Sequence, residues 1–366
     1  MFLLLLACTA TKNPPDTQLT DTVGDPELED LAPVLQPILD ARGVPALAGA
    51  RFDSGGLTAL GAVGLRQAGG SDPALASDPF HLGSDTKAMT GTLAALLIEE
   101  GELGFDTTLE QIWPEAHEGW HGVTLLELLQ HRSGATDNLP TTHGDLWAGL
   151  WARPDDPQAA RVWFAEAFLA TAPTFDRGEF HYANAGYILA GAMLEARTGE
   201  AWEAMMRERL FTPLGMDGCG FGAPLDPAPW GHQRVEGQYV PVDPASTGSD
   251  NPPGLGPAGT VHCPLAGWSA FGAWVLRGAR GEDDRLSADT WSTLLTPEGT
   301  YAAGWGVADR PWASGTAYGH AGSNTMWYAL IWLGPEADVG YLAATNAGSP
   351  GAELATNDVV SALIEE

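Results

Sequence analysis

The sequence predicts an α/β sandwich, with an antiparallel sheet drawn from both chain ends and a helical subdomain inserted between them. Three observations lead there. Apolar runs separated by turn signals fall near the start, over 44–65, and near the end, over 326–346. Segments with helical spacing and helix-stopping residues fill the middle. No internal repeat divides the chain, so terminal strands and central helices read as one interlocked unit.

Glu27 to Arg42 places Leu28, Leu31, Leu35 and Ile38 on one helical face and ends at Gly43. Val44 to Phe52 and Leu57 to Leu65 are apolar runs joined by Asp53-Ser54-Gly55-Gly56, a hairpin signature. Ser84 to Glu100 is an apolar helix closed by Gly101. Leu125 to His131, Ala159 to Ala170, Asn184 to Thr198 before Gly199, and Trp202 to Phe211 before Pro213 are the next helices expected. Pro264 to Leu276 carries its proline in the first turn, where it is tolerated. Ser287 is expected to cap Ala288 to Leu295, with Pro297 stopping the helix. Met326 to Leu333 and Val339 to Asn346 read as strands turned by Gly334-Pro335-Glu336-Ala337-Asp338, and a helix over Ala352 to Glu366 closes the chain. The organisation expected is a leader and tether over 1–24 and one folded domain over 25–366. Its α/β part covers about 25–83 and 300–366, its helical part about 84–299.

A chain of 366 residues, 44% hydrophobic, can bury a sizeable core. Its formal charge of −30 repels phosphate backbones and anionic lipid surfaces, which argues against a nucleic-acid partner. Solubility is the plainer reading of that charge. Lysine usage says more: 15 arginines stand against two lysines, Lys12 and Lys87. Arg stays protonated in proteins, whereas a desolvated Lys can act as a base. Lys87 is therefore expected to serve chemistry.

Leu5-Leu6-Ala7-Cys8 resembles a bacterial lipobox, making Cys8 a candidate for lipidation and a membrane tether. The apolar stretch is too short to span a bilayer, and no Lys or Arg precedes it. Residues 9–24, with Asn13-Pro14-Pro15-Asp16, read as a flexible tether. A location in a bacterial cell envelope is expected. With Cys8 set aside, Cys219 and Cys263 are a candidate disulfide if the fold brings them close.

Ser84-Asp85-Thr86-Lys87 is the strongest chemical signal. At i and i+3 on a helix, the Ser84 hydroxyl and Lys87 amine share one face. Burial disfavours the ammonium, and a neutral amine can take the hydroxyl proton as Ser84 attacks a carbonyl. S-x-x-K alone is weak, with about one chance match in a chain of this length. Here it opens an apolar helix of a lysine-poor chain.

Ser84 to Lys87, then Tyr182-Ala183-Asn184, then His320-Ala321-Gly322 resemble, in order and spacing, the three motifs of the class C β-lactamase and DD-peptidase family. Flanking segments agree: Val123 to Gly134 ends in His131-Arg132-Ser133-Gly134, and Phe211 to Met216 and Pro257-Ala258-Gly259-Thr260 also match. The resemblance covers about 27–350. It implies the β-lactamase/transpeptidase-like fold and an acyl-Ser84 intermediate formed from a small-molecule or peptide ester or amide. Tyr182 would relay protons beside Lys87 and Asn184 would bond the acyl side of the substrate. His320 and Gly322 would shape the opposite wall from the sheet's edge strand, near Tyr182. The N–H groups of Ser84 and Ser323 would form an oxyanion hole. The family's β-lactamases usually carry K-T-G as third motif, where the Lys helps bind a substrate carboxylate. His320 takes that place here, which lowers the expectation of a true β-lactamase unless Arg310 or Arg234 supplies the charge. A D-Ala-D-Ala carboxypeptidase and a β-lactamase are the enzymatic alternatives, and a penicillin-binding sensor or binding module is the non-enzymatic one.

His117-Glu118-Gly119-Trp120-His121 matches the zinc signature H-E-x-x-H, which requires a continuous helix. Pro114, Gly119 and Gly122 argue for a polar loop instead, and neither metal nor organic cofactor is expected. No G-x-S-x-G occurs, so the nucleophile elbow of α/β-hydrolases is absent. Trp147, Trp151, Trp305 and Trp327 are candidates for an apolar acyl pocket, with core packing the plainer reading.

Overall fold

A computed structural model describes residues 28–283 and 285–365. The strands are β1 (Glu29–Asp30), β2 (Ala46–Asp53), β3 (Gly56–Gly64), β4 (Pro79–His81), β5 (Gly220–Phe221), β6 (Gly231–Val235), β7 (Gln238–Val242), β8 (Val261–Pro264), β9 (Gly306–Arg310), β10 (Gly315–Ser323), β11 (Tyr328–Gly334) and β12 (Val339–Thr345). Seven form the main sheet in the order β1-β3-β2-β12-β11-β10-β9. The two chain ends meet where β2 pairs antiparallel with β12, Ala50 opposite Leu342. Smaller sheets are β4-β8-β5 and the β6-β7 hairpin.

Helices cover both faces of the main sheet. Ala32–Arg42 and Pro350–Glu365 pack on one side, where Leu31, Leu35, Leu47, Val359 and Leu363 form a buried layer. Leu265–Ala279 covers the other, and Gly272 and Gly340 leave the slot that the Phe52 ring fills. A side chain at either glycine would overlap that ring. The remaining helices, including Thr86–Glu99, Pro157–Leu169 and Asn184–Thr198, form the helical part between the strand-bearing ends.

Four expectations are corrected. The sheet is not purely antiparallel, because β1 pairs parallel with β3. Glu29 and Asp30 lie in that strand, so the first helix starts only at Ala32, whose N–H is taken by Asp30 Oδ1 at 3.0 Å. The helix expected over Leu125 to His131 stops at Leu129, and His131 turns into the left-handed region with φ 60°. The edge strand is β9 rather than β10, although its pairing ends at Gly319, leaving His320 to Ser323 beyond it.

Among the helical segments, Arg161 is fully buried between two carboxylates. Its Nε lies 3.1 Å from both Glu195 oxygens, while its Nη1 and Nη2 reach Glu203 at 2.9 and 2.7 Å. Glu195 Oε1 also accepts the Trp202 N–H at 2.8 Å. Cys219 and Cys263 pair as a disulfide beside β5 and β8. Cys8 lies outside the described residues, and no helix among those described is long and apolar enough to cross a membrane.

Candidate active site

Gly83–Asp85 forms a tight 3-10 turn that runs directly into the helix Thr86–Glu99. Ser84 thus sits at the mouth of an otherwise buried helix, one turn before Lys87. Lys87 Nζ donates to Ser84 Oγ at 3.0 Å and to the Ala258 carbonyl at 2.6 Å. Lys87 is wholly buried, which pushes its pKa down to about 7, while the neighbouring Asp85 carboxyl pulls the other way. The helix also anchors the segment opposite. Thr86 Oγ1 accepts the Val261 N–H at 3.1 Å and Thr90 Oγ1 donates to Pro257 O at 2.8 Å.

Tyr182 approaches from the start of the helix Asn184–Thr198, its ring 4.9 Å from Lys87 Nζ. The H-x-S-G segment sets this approach. His131 Nδ1 accepts the Ala183 N–H at 3.0 Å, His131 O accepts the His181 N–H at 2.9 Å, and the imidazole packs against the Tyr182 ring at a tilt, the centroids 4.3 Å apart. Burial raises the Tyr182 pKa, with its hydrogen bond to Ser84 acting against that. Asn184 is the first residue of its helix and is half-buried.

The facing wall is β10. A side chain on Gly322 would strike the Leu82 carbonyl and come within 2.6 Å of the Ser84 nitrogen, and one on Gly83 would strike the Ser323 nitrogen. Two glycines therefore let the Ser84 turn and the β10 strand meet backbone to backbone, with the nitrogens of Ser84 and Ser323 on the two segments. His320 is buried, and its ring centroid lies 6.3 Å from that of Tyr182. Its Nε2 is 3.0 Å from the Tyr301 hydroxyl and its Nδ1 is 3.3 Å from Asp85 Oδ1. Burial, with Lys87 nearby, lowers the His320 pKa to about 3, so the ring is neutral.

Ser84, Lys87, Tyr182, His320, Gly322 and Ser323 thus come together, and Asn184 stands at the head of the helix that follows Tyr182. Arg310 and Arg234 do not join them. Arg310 is in register with Gly315, about 17 Å of strand from His320, and Arg234 stacks on Tyr239 in the β6-β7 hairpin. The H-E-x-x-H segment is a 3-10 turn over Glu118–Trp120 rather than a helix. His117 there accepts the Gly119 N–H at 3.0 Å and His121 contacts Ala116 O at 3.2 Å. Of the four tryptophans, Trp305 and Trp327 are core and Trp147 packs against the core. Trp151 lines a cavity of about 380 Å³ with Asp250, Asn251 and Thr260. The sequence reading missed Tyr301, His81, Asp250 and Asn324, and it quoted Asp85 without seeing a role. Of these, only Asp85 lies inside a motif.

Fold and family define a serine hydrolase, and its candidate nucleophile lies beside a buried lysine amine. The sequence model of the beta-lactamase family matches residues 31–365, and the chain belongs to that family. It is 28% identical over 332 residues to penicillin-binding protein 4 of Amycolatopsis lactamdurans, covering 83% of this chain and 81% of that one. The match to lovastatin esterase of Penicillium rubens is 25% identical and covers 57% of this chain and 54% of the esterase, so the chain spans only about half of that relative. In fold it resembles the octameric penicillin-binding protein homologue from Pyrococcus abyssi, with TM-score 0.74 and 20% identity over 92% of this chain and 77% of that one.

Proposed function

We propose that the protein hydrolyses esters or amides lacking a carboxylate at the position a β-lactam would present, through an acyl-enzyme on Ser84. The neutral Lys87 amine takes the Ser84 proton as its oxygen adds to the carbonyl. The N–H groups of Ser84 and Ser323 receive the developing oxyanion. The Tyr182 phenol, still protonated, relays the proton to the leaving group and later draws one from the deacylating water. Asn184 bonds the acyl side of the substrate.

The observation that carries the substrate preference is the inward orientation of His320. Both its nitrogens face protein groups, Asp85 and Tyr301, and the ring is neutral, so it offers no cation to a carboxylate. The names of the relatives, a penicillin-binding protein and an esterase, span the same choice.

The test pairs p-nitrophenyl esters with a fluorescent β-lactam and locates the adduct by mass spectrometry. Ester turnover with an adduct on Ser84 and little antibiotic turnover is the expected result. β-Lactam hydrolysis faster than ester hydrolysis would overturn it, and slow, stable antibiotic acylation would favour a D-Ala-D-Ala carboxypeptidase.

The same reading places the enzyme in a bacterial envelope, tethered through lipidated Cys8, on the strength of Leu5-Leu6-Ala7-Cys8. Metabolic labelling with a fatty acid should mark the native chain and not Cys8→Ser; equal labelling of both would refute the tether.

A further inference from the structure

Resting on that reading, we propose that Asp250 is a positioning residue that locks together the two backbone segments of the oxyanion hole. Its Oδ1 is the shared point of two arms. One arm is His81, fully buried at the end of β4, whose Nε2 lies 2.8 Å from Asp250 Oδ1. The other face of that ring, Nδ1, accepts the Gly83 N–H at 3.0 Å, immediately before Ser84. Because Nδ1 accepts, the ring proton sits on Nε2, facing the carboxylate, although the approach is bent away from the N–H axis. The second arm is Asn324, immediately after Ser323, whose Nδ2 donates to the same Oδ1 at 2.8 Å. Asn324 Oδ1 in turn accepts the N–H groups of Met326 and Trp327 at 3.1 and 3.2 Å.

The turn that Asn324 holds has reason to need a brace. Thr325 sits in the left-handed region with φ 76°, a costly conformation for a β-branched residue. On the other side, Gly83 also has positive φ, at 52°. Two turns from distant parts of the chain, one strained at Thr325 and one relying on a glycine, must present N–H groups to one oxygen atom. Oxyanion stabilisation depends on preorganised donors, and a shift of a few tenths of an ångström in one of them weakens it. Asp250, only 9% exposed at its side chain, connects both turns through one carboxylate oxygen. It acts through His81 and Asn324 and does not itself touch the reacting carbonyl.

The loop that carries Asp250 also walls the 380 Å³ cavity, with Ser249 and Asn251 at its rim. Asn251 Nδ2 donates to Gly259 O at 3.0 Å, on the segment bonded by Lys87. The brace is thereby fixed to the cleft from a third side.

The test measures ester kinetics, the extent of Ser84 labelling by a fluorophosphonate, and the affinity of a boronic acid whose tetrahedral adduct places an oxygen in the hole. Asp250→Ala should lower kcat about 30- to 100-fold with KM within threefold. Boronate affinity should weaken in proportion to the loss in kcat/KM. Asp250→Asn keeps an oxygen to accept from Asn324 and should recover most of kcat. If Asp250→Ala does not fold, His81→Gln cuts one arm and should show the same kcat-weighted loss. A folded Asp250→Ala with kcat within threefold of the parent would overturn the proposal, as would a loss confined to KM or a boronate affinity that does not move. Failure of the parent enzyme to label at Ser84 would instead refute the acyl-serine reading.

Discussion

The Nδ1 of His320 lies 3.3 Å from Oδ1 of Asp85, and both residues are buried beside Lys87. A carboxyl inside the S-x-x-K motif therefore faces the imidazole of the third motif across the cleft. Burial raises the Asp85 pKa well above the ordinary carboxyl range, while Lys87 pulls it down. Asp85 in turn favours the Lys87 ammonium. Replacing it by Asn removes that pull, so the Lys87 pKa should fall and the acid limb of kcat/KM should move to lower pH. An unmoved limb in Asp85→Asn would show that the carboxyl is already neutral in the working enzyme.

On the proposed mechanism, activity in the parent enzyme needs the Lys87 amine, because the ammonium cannot accept the Ser84 proton. With the Lys87 pKa at about 7, kcat/KM on an uncharged ester should rise through pH 7 and fall below it with unit slope. Tyr182 has its pKa raised by burial and contributes no alkaline limb in the neutral range. Lys87→Arg should lose about a thousandfold or more, because a guanidinium does not deprotonate. Retention of most activity by Lys87→Arg would remove the general base from the mechanism.

His320→Lys would place a cation where the related β-lactamases carry one. Its expected effect is a shift of preference, with the ratio of cephalosporin to ester turnover rising about tenfold or more, the worth of one charge-assisted hydrogen bond. An unchanged ratio would mean that the wall at position 320 does not govern carboxylate recognition.

Gly322→Ala pushes a methyl group into the Leu82 carbonyl and towards the Ser84 nitrogen. Acylation should fall by about two orders of magnitude or more as the two backbones separate. Stopped-flow measurement of the acylation burst would detect this, and an unaltered burst would show that the strand accommodates the methyl group.

Arg161 is tied to Glu195 and Glu203 with no exposure of its own. Arg161→Met strands Glu195 in the core and should cost about 3–5 kcal/mol, read from urea unfolding midpoints. Replacing both Arg161 and Glu195 by apolar residues should recover part of that loss, as the uncompensated buried charge is then gone.

How much was legible in the sequence depended on whether the signal was local. The helix Asn184–Thr198 was read to the residue, because Gly199, at φ 75°, ends it with a conformation other residues resist. Ser84 and Lys87 were legible for the same reason, since one helical turn fixes their separation. β10 was not read as a full strand. Gly315 to Ser323 is rich in glycine and alanine, and neighbours on both sides hold it extended rather than its own propensity. Tyr301, His81 and Asp250 gave no local sign. His81 and Asp250 meet only because β4 and the loop before β8 converge, far apart in the chain.

The pairing of β2 with β12 also has a temporal meaning. During synthesis the segment bearing Ser84 and Lys87 leaves the ribosome before Ser323 and β12 do. A nascent chain that stops short of Ser323 therefore carries the proposed nucleophile without the proposed second oxyanion donor, and β2 still lacks its β12 partner.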